Sequence, residues 1–558
     1  MRLDYKWQAA IVSTLGLFMA VLDNTIVSVA LPQMQTAFHT DFDTITWVVS
    51  GYFLAQAAVI PITGYLSDRV GTKLVFLVAL ALFTVGSGLC ALAPTQAWLI
   101  VFRILQGIGG GALFPMAFAI VFRVFPPTER GPASAIISVP VLLAPAFGPT
   151  IGGFLTTTFD WRAIFTVNLP VGVVAFTLGA IVLRGRAAEL ATGDVPTPEK
   201  KRFDIAGLFL AMVGFSALVY GITEASSKGW GDPLVLGFII GGGVVLVAFI
   251  VTELLVSDPV VDLRLFANYT FTISNVLMWA VAAFLFGSLF LLPEFFEILQ
   301  GLTPLSAGEI LIAQGLSAAV ATAIGGSLYN RVGPRILATV GLALLCIGTI
   351  GFTQLDINTT GAQLQPWLIV RGLGLGFANL PLQTLALSVV SNRAMARASS
   401  LVNVARQVFA AVGVAILTTY LTQQVNNQVN PATAAFKGQP SQQAALAAQK
   451  AFSGAPLQHA QAACAAQLGQ TNTAGIASCV QHAGQQFVQN YVTNAAHQYI
   501  GHAAAQGFNS TFLLVVIVCG VAAVLALFVG RDPAIEAARR AKERGETVET
   551  PRVPVASE

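Results

Sequence analysis

The sequence predicts an all-α polytopic membrane protein of fourteen transmembrane helices, built as two six-helix pseudo-repeats plus two inserted helices. Three observations carry that prediction. Of 558 residues, 55% are hydrophobic and only 10% charged, with mean hydropathy +0.74, which is not a soluble composition. Fourteen separate stretches are apolar over the length a spanning helix needs, about 20 residues. And one short charged turn occurs twice.

The turn is Gly64-Tyr-Leu-Ser-Asp68-Arg69-Val-Gly71-Thr-Lys73. Its weaker copy is Gly326-Ser-Leu-Tyr-Asn330-Arg331-Val-Gly333-Pro-Arg335, 262 residues on, where Asn330 replaces Asp68. A second pair of similar segments, Arg103-Ile-Leu-Gln-Gly107-Ile-Gly109-Gly110 and Arg371-Gly372-Leu-Gly374-Leu-Gly376, lies 268 residues apart. Spans 3 and 4 therefore correspond to spans 11 and 12, which leaves two spans inserted between the halves. Internal repeats of this kind mark transporters.

In chain order the spans lie at roughly 9–31, 45–66, 74–93, 97–121, 133–155, 162–183, 205–223, 234–253, 270–292, 305–328, 336–353, 366–388, 398–421 and 511–530. The expected units are a six-helix bundle (1–183), a cytoplasmic linker (184–204), two inserted helices (205–253) and a second cytoplasmic linker (254–269). Five helices of the second bundle (270–421), a loop domain (422–510), the last helix (511–530) and a cytoplasmic tail (531–558) complete the chain.

Lys and Arg set the orientation, because loops on the cytoplasmic side hold the excess. With both termini inside, 22 of the 29 basic residues are cytoplasmic, four are outside, and Arg103, Arg371 and Arg406 lie within spans. Trp47, Trp98, Trp161, Trp230 and Trp367 fall at the outer starts of even-numbered spans, where amphipathic rings favour the interface. The expected location is a bacterial inner membrane. The net charge of +3 follows from this bias and requires no nucleic-acid partner.

Region 422–510 is rich in Ala, Gln and Asn, and no Asp or Glu occurs between Asp356 and Asp532. Helical spacing of Val480, Phe487, Val488, Tyr491 and Tyr499 predicts an extracytoplasmic helical domain. Cys464 and Cys479 share this oxidising side, either as a disulfide or as two thiols. Four of the five histidines lie here, at no spacing that fits a metal motif, and no metal is expected.

Ionisable groups inside spans are the functional candidates, since each is costly there. Asp23 in span 1 reads as a proton or substrate-path carboxylate, or as a structural one. Arg103 in span 4 is its natural counter-charge. Glu309, just inside span 10, could titrate, whereas Glu294 and Glu297 read as a solvated rim. Span 5 carries Pro140, Pro145, Gly148, Pro149, Gly152 and Gly153, a pattern for a hinge or a close helix contact. Trp279, Phe284, Phe286 and Phe290 could line a pocket or simply pack. No phosphate-binding loop and no nucleophile–base pattern is present, so neither ATP-driven transport nor enzymatic activity is expected. No cofactor is expected; the energy source would be a proton gradient.

Together these segments resemble the major facilitator superfamily, and specifically its fourteen-span drug:proton antiporter branch. The resemblance rests on the 64–73 turn, on Leu22-Asp23-Asn-Thr-Ile-Val-Ser-Val-Ala-Leu-Pro32, on Arg103-Ile-Leu-Gln-Gly107 and on Gly148-Pro149-Thr-Ile-Gly152-Gly153. Trp161-Arg162-Ala-Ile-Phe-Thr-Val-Asn168-Leu-Pro170, Pro259-Val-Val-Asp-Leu-Arg264-Leu-Phe266 and Asn403-Val-Ala-Arg406-Gln407 also fit. It implies alternating access, with Gly64, Asp68, Arg69, Gly71 and Lys73 as a conformational latch and Asp23 on the proton path. The motif of Pro145, Gly148, Pro149, Gly152 and Gly153 would be that of exporters. Substrates would be amphipathic or hydrophobic small molecules, some cationic, and some relatives work with a periplasmic adaptor and an outer-membrane channel. A dedicated single-metabolite exporter and a transport-inactive sensor are the competing readings. Ala144, where the motif often has Gly, and the long 422–510 region depart from the pattern.

Overall fold

The computed structural model describes residues 4–185, 204–256, 259–436, 439–452, 455–468 and 473–530, together with Asp532 and Glu536. The described residues are helical throughout, with no strand. The first bundle comprises α1 (Tyr5–Phe38), α2 (Phe42–Val70), α3 (Thr72–Ala91), α4 (Gln96–Val124), α5 (Arg130–Thr158), the single turn α6 (Ala163–Thr166) and α7 (Asn168–Val182). The inserted pair is α8 (Ile205–Lys228) and α9 (Pro233–Leu255). Then come α10 (Tyr269–Glu294), α11 (Pro304–Val332), α12 (Pro334–Ile350), α13 (Gly361–Ser388), α14 (Met395–Phe436), α15 (Gln439–Ala451), α16 (Ala455–Leu468) and α17 (Thr473–Ala526).

Local chemistry places the helix starts. Asp41, Thr95, Asp204, Asp232, Asn268 and Thr303 each accept a first-turn backbone N–H, and Thr360 with Gln363 forms a capping box. Eleven helices among the described residues are long and apolar enough to cross a membrane. The chain is a multi-pass membrane protein. Helices α5, α10 and α13 cover the other three predicted stretches. On α9 a face of Ile240, Val244, Val247 and Val251 is exposed, a surface suited to lipid and not to water.

The predicted sixth span is one apolar helical stretch, Ala163–Val182, in which α6 passes into α7 through Val167. The described part of 422–510 is helical. Helix α14 runs unbroken to Phe436 and α17 begins at Thr473, so both pass far beyond the bilayer core. At 1.5 Å per residue they measure about 63 Å and about 81 Å, against a core of about 30 Å. Cys464 in α16 and Cys479 in α17 form a disulfide. His502 pairs with Asp356 at 2.8 Å. Trp161, between α5 and α6, is buried against Phe38 and Phe165, while Trp47, Trp98, Trp230 and Trp367 are exposed. Trp279 stacks on Phe409 at 4.6 Å. The side chains of Phe284, Phe286 and Phe290 lie outside the described residues, as do most of the 184–204 linker and the 531–558 tail.

The two halves meet along two seams at the end that carries the 64–73 turn. One joins α2 to α14, the other α5 to α11. The inserted pair leans on the first seam: Ser216 reaches Leu54 O, Trp47 stacks on Tyr220, and Trp230 donates to Thr419.

Candidate functional site: a caged carboxylate and an ion-paired seam

Asp23 and Arg103 are brought together in the middle of the first bundle. Arg103 Nη1 donates to Asp23 Oδ2 at 2.6 Å, and each side chain is no more than 1% exposed. The other carboxylate oxygen accepts from Gln106 Nε2 at 2.9 Å and from Asn168 Nδ2 at 3.0 Å. Arg103 is held in turn by Val48 O at 3.0 Å, by Gln106 Oε1 at 2.8 Å and by the face of Tyr52, 4.1 Å from the ring centre. Asn168 is fixed by Ser87, which donates to Phe165 O. The cage therefore draws on α1, α2, α3, α4 and α7. A buried ion pair holds only when its spare donors and acceptors are also met, and here they are. A proton arriving at Oδ2 would have to displace Arg103.

The backbone allows this closeness. A side chain on Gly107 would strike Tyr52 O at 2.6 Å, and one on Gly109 would strike Ala79 O at 2.5 Å. The run of glycines after Arg103 is a packing surface for α2 and α3.

At the turn, Asp68 is the joint between the halves. Its Oδ1 accepts from Arg123 Nη2 on α4 at 3.0 Å, and its Oδ2 accepts from Arg397 Nε on α14 at 2.8 Å. Arg123 also bonds Thr72 and Asn392 O, and Ser399 donates to Pro115 O. Gly64 lets the backbones touch: a Cβ there would lie 2.5 Å from Ala396 O. The remaining turn residues act locally. Gly71 has φ +97°, matching φ +91° at Gly333 in the copy, a conformation that side chains disfavour. Arg69 donates to Tyr65 Oη, and Lys73 donates to Ala180 O at the end of α7.

In α5 the glycines face α1. A Cβ on Gly148 would lie 2.0 Å from Thr25 Oγ1, and one on Gly152 would lie 3.1 Å from Ile26 O. Gly153 O accepts from Thr156 and Thr157. Helix α5 is continuous; the side chains of Pro145 and Pro149 lie outside the described residues. Glu309 is exposed near the start of α11 and is not among the partners of Asp23 or Arg103.

Sequence reasoning did not single out Gln106, Asn168, Tyr52, Arg123 or Arg397. Gln106 follows Arg103 by one helical turn, which is a usable signal. Arg397 is 329 residues from Asp68 and carries none.

The Major Facilitator Superfamily pattern matches residues 13–414, and the chain belongs to that family. The match ends before the long extensions of α14 and α17. The chain is 36% identical over 434 residues to the multidrug resistance protein B homolog of Mycobacterium tuberculosis (strain ATCC 25618 / H37Rv), covering 76% of this chain and 77% of that protein. It is 30% identical over 425 residues to the tetracenomycin C resistance and export protein of Streptomyces glaucescens, covering 75% and 77%. Among solved structures, the human organic anion transporter MFSD10 (TETRAN) superposes with TM-score 0.55 at 13% identity, covering 93% of this chain and all of that one. That likeness concerns the fold alone.

Proposed function

We propose that this protein is a proton-coupled exporter of amphipathic or hydrophobic compounds, with fourteen spans, both termini on the cytoplasmic side of a bacterial inner membrane, and alternating access between its halves. It fits the fourteen-span drug:proton antiporter branch. The observation that carries the reading is the Asp23–Arg103 cage. An ionised pair buried this deeply in an apolar bundle is costly to keep, and protonating the acid is the chemical event that would release it. The Asp68 seam supplies the conformational partner: its closure describes a state open on the opposite side. The names of the relatives support drug export, and the exposed apolar belt supports the membrane setting.

A second reading concerns cargo charge. Arg406 on α14 lies over Phe114 of α4, 4.6 Å from the ring centre, between the halves, and makes no ion pair among the described residues. This favours substrates that carry a negative group. Uptake of a lipophilic dye into inside-out vesicles under an imposed pH gradient tests the main reading. Gradient-driven uptake that disappears in Asp23→Asn supports it; equal uptake in the variant removes Asp23 from coupling. Competition by a lipophilic carboxylate against a lipophilic amine separates the two cargo classes.

A further inference from the structure

The inserted helices end in a feature that transport by Asp23 does not use. Asp204, at the start of α8, and Glu253, in the last turn of α9, are both buried, at 8% and 2% exposure. Each has one oxygen satisfied by backbone. Asp204 Oδ1 accepts from Gly207 N at 2.8 Å, and Glu253 Oε2 accepts from Val261 N at 3.1 Å. The remaining oxygens, Asp204 Oδ2 and Glu253 Oε1, have no hydrogen-bond partner. They lie near one another, no more than 5.1 Å apart, because a Cβ on Gly207 would lie 2.3 Å from the first and 2.8 Å from the second. A second negative charge beside the first is costly in such a dry space. One proton shared between Oδ2 and Oε1 satisfies both orphan atoms at once.

We propose that Asp204 and Glu253 form a proton-binding pair that holds one proton while the Asp68 seam is closed, and whose deprotonation loosens that seam. The connection is a chain of contacts. Asp204 N donates to Tyr65 Oη at 3.4 Å, and Arg69 donates to the same oxygen at 2.9 Å. Arg397 lies over the Tyr65 ring at 5.3 Å and donates through Nη1 to Pro259 O at 2.8 Å, two residues before Val261. Its Nε holds Asp68. Among the described residues, the charged or titratable groups facing the pair are therefore Tyr65, Asp68 and Arg69 from α2 and Arg397 from α14. Asp262, on the segment after α9, is turned to its own backbone.

Loss of the proton leaves a second negative charge beside Arg397, which then competes with Asp68 for the guanidinium. The sign follows from linkage. The closed seam keeps the pair dry and proton-bound, whereas opening wets it and lets both acids ionise. The closed state binds more protons, so acid favours closure and rising pH favours opening. A metal ion is the poorer occupant, because no group of three or more His, Cys, Asp or Glu side chains that could hold one exists among the described residues.

The test uses the full-length protein in liposomes. Infrared difference spectra at neutral pH are expected to show a protonated-carboxyl stretch that is lost in Glu253→Gln and in Asp204→Asn. Spin labels at Val70 and Ser391 report the seam, whose open fraction should rise several-fold from about pH 6 to about pH 9 in the wild type. Both amide variants donate a fixed hydrogen bond in place of the shared proton, so their seams should stay closed at either pH. A band that persists in both variants, or a pH response unchanged in both, overturns the proposal. So does a band that magnesium removes, which would make the pair a cation site. The infrared arm does not rest on the export reading and survives its failure.

Discussion

Arg103 and Arg371 occupy matching places in the two halves, each buried on the helix that follows the turn motif's partner span. A close helix contact accompanies both: Gly86 meets Gln106 Cα beside Arg103, and Gly348 meets Arg371 Cα. Their surroundings differ completely. Arg103 has a carboxylate, one side-chain amide oxygen and a backbone carbonyl. Arg371 donates Nη2 to Ser288 and lies 5.4 Å from the centre of the Phe352 ring, while its Nε and Nη1 have no partner among the described residues. One half carries a carboxylate paired with a cation, and the other carries a cation with no carboxylate partner among the described residues. The lesson is that a sequence repeat can preserve a charge without preserving its chemistry. In a low-dielectric bundle the partner decides what a charge can do.

The largest effect should come from breaking the paired centre. Asp23→Leu leaves Arg103 charged and uncompensated in the core. The expected cost is about 3–5 kcal/mol, seen as a large drop in melting temperature of the purified protein. Asp23→Asn keeps the shape and some of the hydrogen bonds, so it should fold while losing gradient-driven transport. A small loss in Asp23→Leu would mean that Arg103 finds another anion, and the contrast between the halves would weaken.

The two seams sharpen the same contrast. Asp68 bonds two arginines from different helices, whereas its counterpart Asn330 donates only to Thr128 O across the α5–α11 seam. Asp68→Asn is expected to cost about 1.5–3 kcal/mol of seam closure, the worth of hydrogen bonds to charged groups. Alkylation of a Ser399→Cys reporter, buried in that seam, should quicken accordingly. Asn330→Ala loses one neutral bond, about 0.5–1.5 kcal/mol, and a Ser134→Cys reporter in the other seam should respond less. Equal responses would show that glycine packing, not the ion pairs, closes both seams.

The fourteen apolar stretches were legible because spanning helices must be apolar nearly all round. Asp23, Arg103 and the turn stood out because charge is rare there. The uncharged members of the cage, Gln106, Asn168 and Tyr52, look like any polar residue in an apolar run. Asp204 and Glu253 lie at span ends, where acids are ordinary, so nothing in their spacing marks a pair. Helices α14 and α17 outrun the predicted spans for a physical reason. Hydropathy falls at 421 and 511, but Ala- and Gln-rich sequence has high helix propensity, so the helices continue past the apolar boundary. Glu309, just inside a predicted span, lies exposed near the start of α11 and apart from the cage.

A smaller effect is expected where the halves do not enter. Gly148→Ala sets a methyl group 2.0 Å from Thr25 Oγ1 and 2.6 Å from Thr25 Cβ, so α1 and α5 must separate. Overpacking of this kind costs about 1–3 kcal/mol, and Thr25→Ala should recover part of it in the double variant. No recovery would mean that the two helices part freely and that the contact is not tight in solution.

The smallest effect belongs to the unpaired arginine. Arg371→Met keeps an unbranched, apolar chain beside Phe352 and removes a buried charge with two unmet donors. Replacing buried charge by apolar volume is often neutral or stabilising. The melting temperature should therefore hold or rise slightly, opposite in sign to Asp23→Leu. A fall as deep as that of Asp23→Leu would mean that Arg371 has an anionic partner in the membrane-embedded protein, such as a lipid phosphate or a bound substrate. The second half would then hold a paired centre too, completed from outside the chain, and the asymmetry between Arg103 and Arg371 would lie in where each finds its anion.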